Sequence, residues 1–259
     1  MEGVVVAFSG GVDSSFLYAV AVEALGDRAV GVTAVSETYP EGERRQAEAL
    51  ARALGGRHRF IVSEELDLPA FSKNPPDRCY FCKKELFSKL WEVARQEGLA
   101  HVVDGTNADD RGDHRPGRRA ARELGVRSPL EEIGLTKDEI RELSRRMGLP
   151  TWDKPAMACL SSRFPYGTPI TRENVARVGR AEEALRGLGL RVLRLRHHGD
   201  VARLEVGPEE FGRVTGELRA EVVRIVRAAG YGYVAVDLEG YRAGSLNEVL
   251  PDGLREAGG

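Results

Sequence analysis

With 259 residues, 42% hydrophobic and 30% charged, the chain can bury the core of one large domain or two modest ones, which argues against intrinsic disorder. Its 38 basic and 40 acidic side chains leave a net charge of −2, which counts against a general nucleic-acid-binding surface. No apolar run approaches the roughly 20 residues of a bilayer span, and a strand-like segment begins almost at Met1, leaving no room for a signal peptide. The expectation is a soluble, cytoplasmic protein without a membrane partner.

Residues 3–8, Gly-Val-Val-Val-Ala-Phe, form a β-branched run suited to a strand buried on both faces, and the turn Ser9-Gly10-Gly11 follows it. A helix is predicted from about Asp13, then a strand at 29–35, a helix at 41–54, a strand at 58–62, a long helix at 78–97 and a strand at 100–104. This βαβ rhythm implies a parallel sheet. A Gly- and Arg-rich loop at 111–119 precedes a short helix and the extended Arg127-Ser128-Pro129-Leu130. A helix then opens at Thr136, with Glu139 three residues on as a capping box. The segment 149–170, with four prolines and little periodicity, reads as a long functional loop and the domain boundary. Beyond it come a helix capped by Thr171, strands at 191–197 and 201–206, a helix at 208–229 and a strand at 232–238. That αββαβ order predicts a small α+β domain with an antiparallel sheet. The stretch 248–259 lacks a core pattern and is expected to fray.

The turn Ser9-Gly10-Gly11-Val12-Asp13-Ser14-Ser15 lies at the carboxyl end of the first strand and the amino end of the first helix, where open α/β sheets bind ligands. Adjacent glycines let backbone N–H groups approach an anion, and the serines add hydroxyl donors to the positive helix terminus. The spacing is that of neither a Walker A loop nor a dinucleotide fingerprint. Asp13 beside phosphates implies a Mg²⁺ between them. The bland alternative is a glycine turn with an Asp/Ser helix cap. The turn resembles the PP-loop of the N-type ATP pyrophosphatases, which implies cleavage of ATP to AMP and pyrophosphate through an adenylated substrate. Gly105 and Thr106, in the Asx-rich run 104–110 after another strand, are a candidate second nucleotide-side loop, or simply a turn and cap.

Cys79 and Cys82 lie three apart at the start of a predicted helix, which puts both thiols on one side and favours thiolate. Cys159 falls in the long loop. Three thiolates could hold an iron–sulfur cluster with one iron lacking a protein ligand, or zinc with a water, or could be unrelated. A dithiol pair explains only two of them.

The segment Trp152-Asp153-Lys154-Pro155-Ala156-Met157-Ala158-Cys159-Leu160-Ser161-Ser162-Arg163-Phe164-Pro165-Tyr166-Gly167, together with the PP-loop, closely resembles the LarE family over residues 4–247. These are ATP-dependent sulfur transferases that help build the nickel-pincer nucleotide cofactor of lactate racemase. The resemblance implies that Cys159 is the sulfur-bearing residue. In some members that cysteine is sacrificed and becomes dehydroalanine; others add a C-x-x-C pair and hold a 4Fe-4S cluster on three cysteines. Cys79 and Cys82 place this chain with the second group.

In Arg191-Val192-Leu193-Arg194-Leu195-Arg196-His197, alternation sends Leu193 and Leu195 to one face and Arg194 and Arg196 to the other. Arg203 and Glu205 share a face of the next strand. The arginines read either as an anion clamp or as a solvated strand face. Resemblance assigns Ser162, Arg194, Arg196 and Arg242 to the substrate, with Arg242 reaching into a neighbouring subunit.

The resulting expectation is an α/β fold with a parallel-sheet PP-loop domain over 1–165 and a smaller α+β domain over 166–247. ATP and Mg²⁺ would be held by Ser9, Gly10, Gly11, Val12, Asp13, Ser14, Ser15, Gly105 and Thr106, with Asp13 and Cys159 catalytic and Cys79, Cys82 and Cys159 as cluster ligands. The substrate would be pyridinium-3,5-biscarboxylic acid mononucleotide, with sulfide or a cysteine desulfurase as the sulfur source. The protein would be a homo-oligomer, for instance a hexamer. The rival readings are a tRNA thiolase and a nucleotide-binding regulator with structural zinc.

Overall fold

The computed structural model describes residues 1–112, 116–155 and 158–251. The chain forms two compact units, one built from residues 1–71 and 77–157, the other from 72–76 and 158–250. Residues 252–259 of the expected frayed tail lie outside the described residues, as do 113–115 of the Gly- and Arg-rich loop and Ala156 and Met157 of the long loop.

The first unit contains, in chain order, β1 (Val4–Ala7), α1 (Val12–Leu25), β2 (Ala29–Val35), α2 (Glu41–Ala53), β3 (Arg57–Val62), the one-turn α3 (Pro69–Ser72), α4 (Arg78–Glu97), β4 (His101–Val103), α5 (Gly117–Glu123), α6 (Pro129–Glu132) and α7 (Lys137–Arg146). All pairings of its sheet are parallel, in the order β3-β2-β1-β4. Strand alternation divides the core. Val4, Val6 and Phe8 pack with Phe16 of α1, Ala47 and Leu50 of α2 and Ile140 of α7. Val5, Val30 and Val32 pack on the other face with Phe87 and Leu90 of α4 and Ala120 of α5. Both faces are thus covered by helices, which is why these strands read as continuous apolar runs. The strand order reverses at β1, so the loops after β1 and β4 meet at the carboxyl edge beside that switch point.

The extended reading of 127–130 holds only at its start. Arg127 bridges Val103 in parallel, after which Pro129 takes the first position of α6 behind Ser128. The capping box at Thr136 forms, with Glu139 Oε2 accepting from Thr136 N at 2.9 Å and Thr136 Oγ1 accepting from Glu139 N at 3.4 Å.

The second unit contains α8 (Arg172–Gly187), β5 (Leu193–His198), β6 (Val201–Val206), α9 (Pro208–Thr215), α10 (Arg219–Ala228) and β7 (Tyr233–Val236). Val175, Val178, Ala181 and Leu185 make the buried stripe of α8, and Leu193 and Leu195 are buried on β5. Two expectations are corrected. The helix at 208–229 is two helices, α9 ending against Gly216, a poor helix former. The sheet is mixed: β5 and β6 are antiparallel, but β6 and β7 are parallel, because the two-helix connection is long enough to return the chain to the same end of the sheet. Asn74, with φ +58°, stitches residues 72–76 into this unit. Its side-chain amide donates to the carbonyls of Pro165 at 2.7 Å and Thr168 at 2.9 Å.

Candidate functional site

In the first unit the turn after β1 has its carbonyls and hydroxyls internally arranged. Ser14 Oγ lies 3.0 Å from Ser9 Oγ and donates to Gly11 O at 3.3 Å, while Ser9 N donates to Ser14 Oγ at 3.2 Å. Gly10 takes φ +70°, a conformation natural to glycine. Gly11 caps α1 without a side-chain cap of its own and donates its N–H to Ser9 Oγ at 3.4 Å, at a helix amino terminus suited to an anion. Val12 is buried in the core and contributes backbone only. Ser15 Oγ is buried and has no hydrogen-bond partner among the described residues.

The loop after β4 is folded directly onto this turn. A Cβ on Gly105 would stand 2.9 Å from Ser14 N and 3.1 Å from Asp13 C, so only glycine allows the approach. Asp104 shapes the loop by accepting from Thr106 N at 3.2 Å, Thr106 Oγ1 at 3.0 Å and Ser128 Oγ at 2.7 Å. The Thr106 hydroxyl is therefore committed to Asp104. Asp13 is gripped from two sides: Asn107 Nδ2 donates to it at 3.2 Å and Lys137 Nζ, from the start of α7, at 2.5 Å. Neither partner stands out in the sequence; Asn107 at least belongs to the Asx-rich loop, whereas Lys137 carries no local signal. A glycine turn, a helix amino terminus, an orphaned buried hydroxyl and the Lys137 ammonium fit a polyphosphate. The hard carboxylate oxygens of Asp13 fit a magnesium ion shared with it.

Cys79 and Cys82 stand outside any disulfide in the first turn of α4, Cys79 exposed and Cys82 half-buried. Each offers a sulfur donor, the ligand chemistry of iron–sulfur sites. Among the described residues no three His, Cys, Asp or Glu side chains gather as a metal centre.

In the second unit Cys159 is exposed at the head of the short turn Leu160–Arg163. Its carbonyl accepts from Ser162 N at 3.0 Å, Ser162 Oγ at 2.9 Å and Arg163 Nη1 at 3.1 Å. Arg163 is fully buried and bidentate with Glu182 of α8, at 2.8 Å through both Nε and Nη2. Burial alone would raise the Glu182 carboxyl. Arg163, aided by Arg186 and the Leu195 N–H, outweighs it and holds the group at about 2. The sequence offers no sign of this pair, because nothing in a helix periodicity reveals that one glutamate on the buried stripe has an arginine opposite.

Arg194 and Arg196 are buried, at 5% and 6% exposure, which removes the solvated-face reading. Arg196 is bidentate with Glu205, at 2.9 and 2.7 Å, and donates to Ser162 O at 2.6 Å and Ser245 Oγ at 2.9 Å. Arg194 donates to Leu193 O and lies 4.9 Å over the Tyr241 ring. Burial, with the Arg163 guanidinium nearby, pulls Arg194 down to about 10, an environment that added negative charge would relieve. Arg242 pairs with Glu239 and Glu248, both at 2.9 Å.

A parallel sheet with a glycine turn at its switch point, and a second loop folded onto that turn, defines an ATP-using enzyme of the PP-loop class. Consistent with this, the NAD synthase family model matches residues 1–73. The chain is 45% identical to an uncharacterized protein of Synechocystis sp., over 96% of this chain and 94% of that one. It is 38% identical to the pyridinium-3,5-bisthiocarboxylic acid mononucleotide synthase of Lactiplantibacillus plantarum, over 96% of this chain and 91% of that enzyme. It is also 27% identical to an uncharacterized protein of Methanocaldococcus jannaschii, over 93% of this chain and 91% of that one. The chain belongs to the LarE family, within the PP-loop superfamily.

Proposed function

We propose that the protein converts a carboxylate of pyridinium-3,5-biscarboxylic acid mononucleotide to a thiocarboxylate at the expense of ATP, in nickel-pincer nucleotide cofactor biosynthesis. The near full-length similarity to the plantarum enzyme carries this reading. A carboxylate oxygen attacks the α-phosphorus of ATP, the α–β P–O bond breaks, and pyrophosphate leaves. Backbone N–H groups of the glycine turn within Ser9–Ser15 and the Lys137 ammonium stabilise that departing charge. Asp13 would hold a Mg²⁺ that neutralises the polyphosphate. A sulfur nucleophile then attacks the acyl carbon of the adenylate, the bond to the AMP oxygen breaks, and the thiocarboxylate and AMP result. One carboxylate oxygen departs in AMP, so two carboxylates require two turnovers.

Cys79, Cys82 and Cys159 would hold a 4Fe-4S cluster that supplies bound sulfide when present. The mononucleotide phosphate suits Arg194 and Arg196, which are presented by β5 above the Cys159–Arg163 turn within the second unit. Arg242 and Ser162 complete that set, and the active form is a homo-oligomer drawing sulfide from solution or from a cysteine desulfurase. Incubation of the anaerobic protein with ATP, sulfide and the mononucleotide, followed by mass spectrometry, tests the reading. Replacement of one oxygen by sulfur, with AMP and pyrophosphate in equal amounts, is expected. Formation of ADP, or thiolation of tRNA instead, would overturn it.

A further inference from the structure

The PP-loop is also held through its backbone carbonyls. Tyr39 Oη donates to Ser9 O at 2.8 Å, and Lys154 Nζ donates to Gly10 O at 3.0 Å. In a trans peptide the N–H points opposite to the C=O. Capping these two carbonyls therefore turns the N–H groups of Gly10 and Gly11 away from Tyr39 and Lys154. A donor on a carbonyl also polarises its own peptide group, making the attached N–H a stronger donor; an ammonium does so more than a neutral group.

Lys154 is built into this position. Its ammonium also bonds Glu43 Oε2 at 2.6 Å, and the two side chains are only 12% and 11% exposed. Arg141, one turn after Lys137 on α7, donates to the backbone carbonyls of Trp152 at 2.6 Å and Lys154 at 3.0 Å, fixing the segment that carries the lysine. Burial, and then the Glu43 charge, raises the Tyr39 hydroxyl above its ordinary range, so it stays a donor. Only six of the 38 basic residues are lysines. Two of them, Lys137 and Lys154, meet this one loop, where a compact point charge suits a single carboxylate or carbonyl oxygen better than a forked guanidinium.

We infer that Lys154, seconded by Tyr39, is a positioning residue that orients and polarises the 9–11 peptides for the pyrophosphate part of ATP without touching the nucleotide. This deepens the proposed function at its ATP site and rests on that reading of the loop, but not on the identity of the acceptor. The test is calorimetric titration of the full chain with inorganic pyrophosphate and, separately, with AMP, both with Mg²⁺ and with no acceptor present. Lys154→Met should weaken pyrophosphate about tenfold or more, in line with loss of a charge-assisted hydrogen bond, and leave AMP within about twofold. Tyr39→Phe should weaken pyrophosphate about threefold and spare AMP, and Lys154→Arg should recover part of the loss. Unchanged pyrophosphate affinity in Lys154→Met, or equal losses for both ligands, would overturn the inference. If Lys154→Met does not fold, the same criteria apply to Tyr39→Phe. A wild type that binds no pyrophosphate overturns the loop assignment and this inference together. A wild type that binds it but thiolates nothing overturns only the proposed substrate.

Discussion

Gly105 and Glu182 each hold a contact that no neighbouring residue could replace, and each can be tested alone. Gly105 permits two loops to touch at backbone distance, and a methyl group there meets atoms of α1 that cannot rotate aside. Gly105→Ala should cost about 1–3 kcal/mol in urea unfolding and lower pyrophosphate release by more than about tenfold, since it displaces the turn that holds Asp13. The Glu182 carboxyl is depressed in the folded chain from 4.5 to about 2. The stability it contributes is therefore present above about pH 4.5 and lost as pH falls toward 2. Glu182→Gln leaves the buried Arg163 without its counter-charge and should cost about 3–5 kcal/mol. Urea midpoints recorded from pH 7 to pH 3 should fall steeply below about pH 4.5 in the wild type and less steeply there in the variant. An equal slope in both would show that Glu182 does not titrate as described.

At the scale of elements, α4 has a double assignment. Phe87 and Leu90 of its later turns are buried in the sheet core, while its first turn carries the exposed Cys79 and the half-buried Cys82. Replacing either thiol by Ala should leave helix content unchanged, because Ala is the better helix former. Anaerobic reconstitution with iron and sulfide should give about one four-iron cluster per wild-type chain, and less or none in Cys79→Ala, Cys82→Ala or Cys159→Ala. Full cluster content in both α4 variants would show the ligand assignment to be wrong. Helix α7 likewise serves two purposes: Ile140 enters the core, and Lys137 and Arg141 on its polar side reach Asp13 and the 152–154 backbone.

For the molecule as a whole, the question is whether Cys159 is consumed. A replenished sulfide supports several turnovers per chain with the cysteine intact, whereas a sacrificial cysteine acts once. Intact-protein mass spectrometry after turnover with sulfide and ATP should show no change in the chain. A loss of about 34 Da, one H₂S from a thiol side chain, would mean dehydroalanine and exclude the replenished route. The companions Cys79 and Cys82 favour replenishment, since a one-use Cys159 needs neither of them.

Much of this protein is legible without coordinates because its determinants are local. The βαβ alternation of the first 104 residues, the glycine turn after Phe8 and the capping box at Thr136 each depend on residues within a few positions of one another. So does the alternation that sends Arg194 and Arg196 to one face of β5, although it cannot say whether that face is wet or buried. Tertiary packing decided the rest. It placed Lys137 beside Asp13 across 124 residues and Lys154 beside Gly10 across 144. It buried Arg163 against Glu182 and Arg196 against Glu205, and it made β7 parallel to β6. A backbone hydrogen bond or a cap is set by neighbours along the chain, but a charge finds its partner only when the elements carrying both have been driven together by burial of their apolar faces.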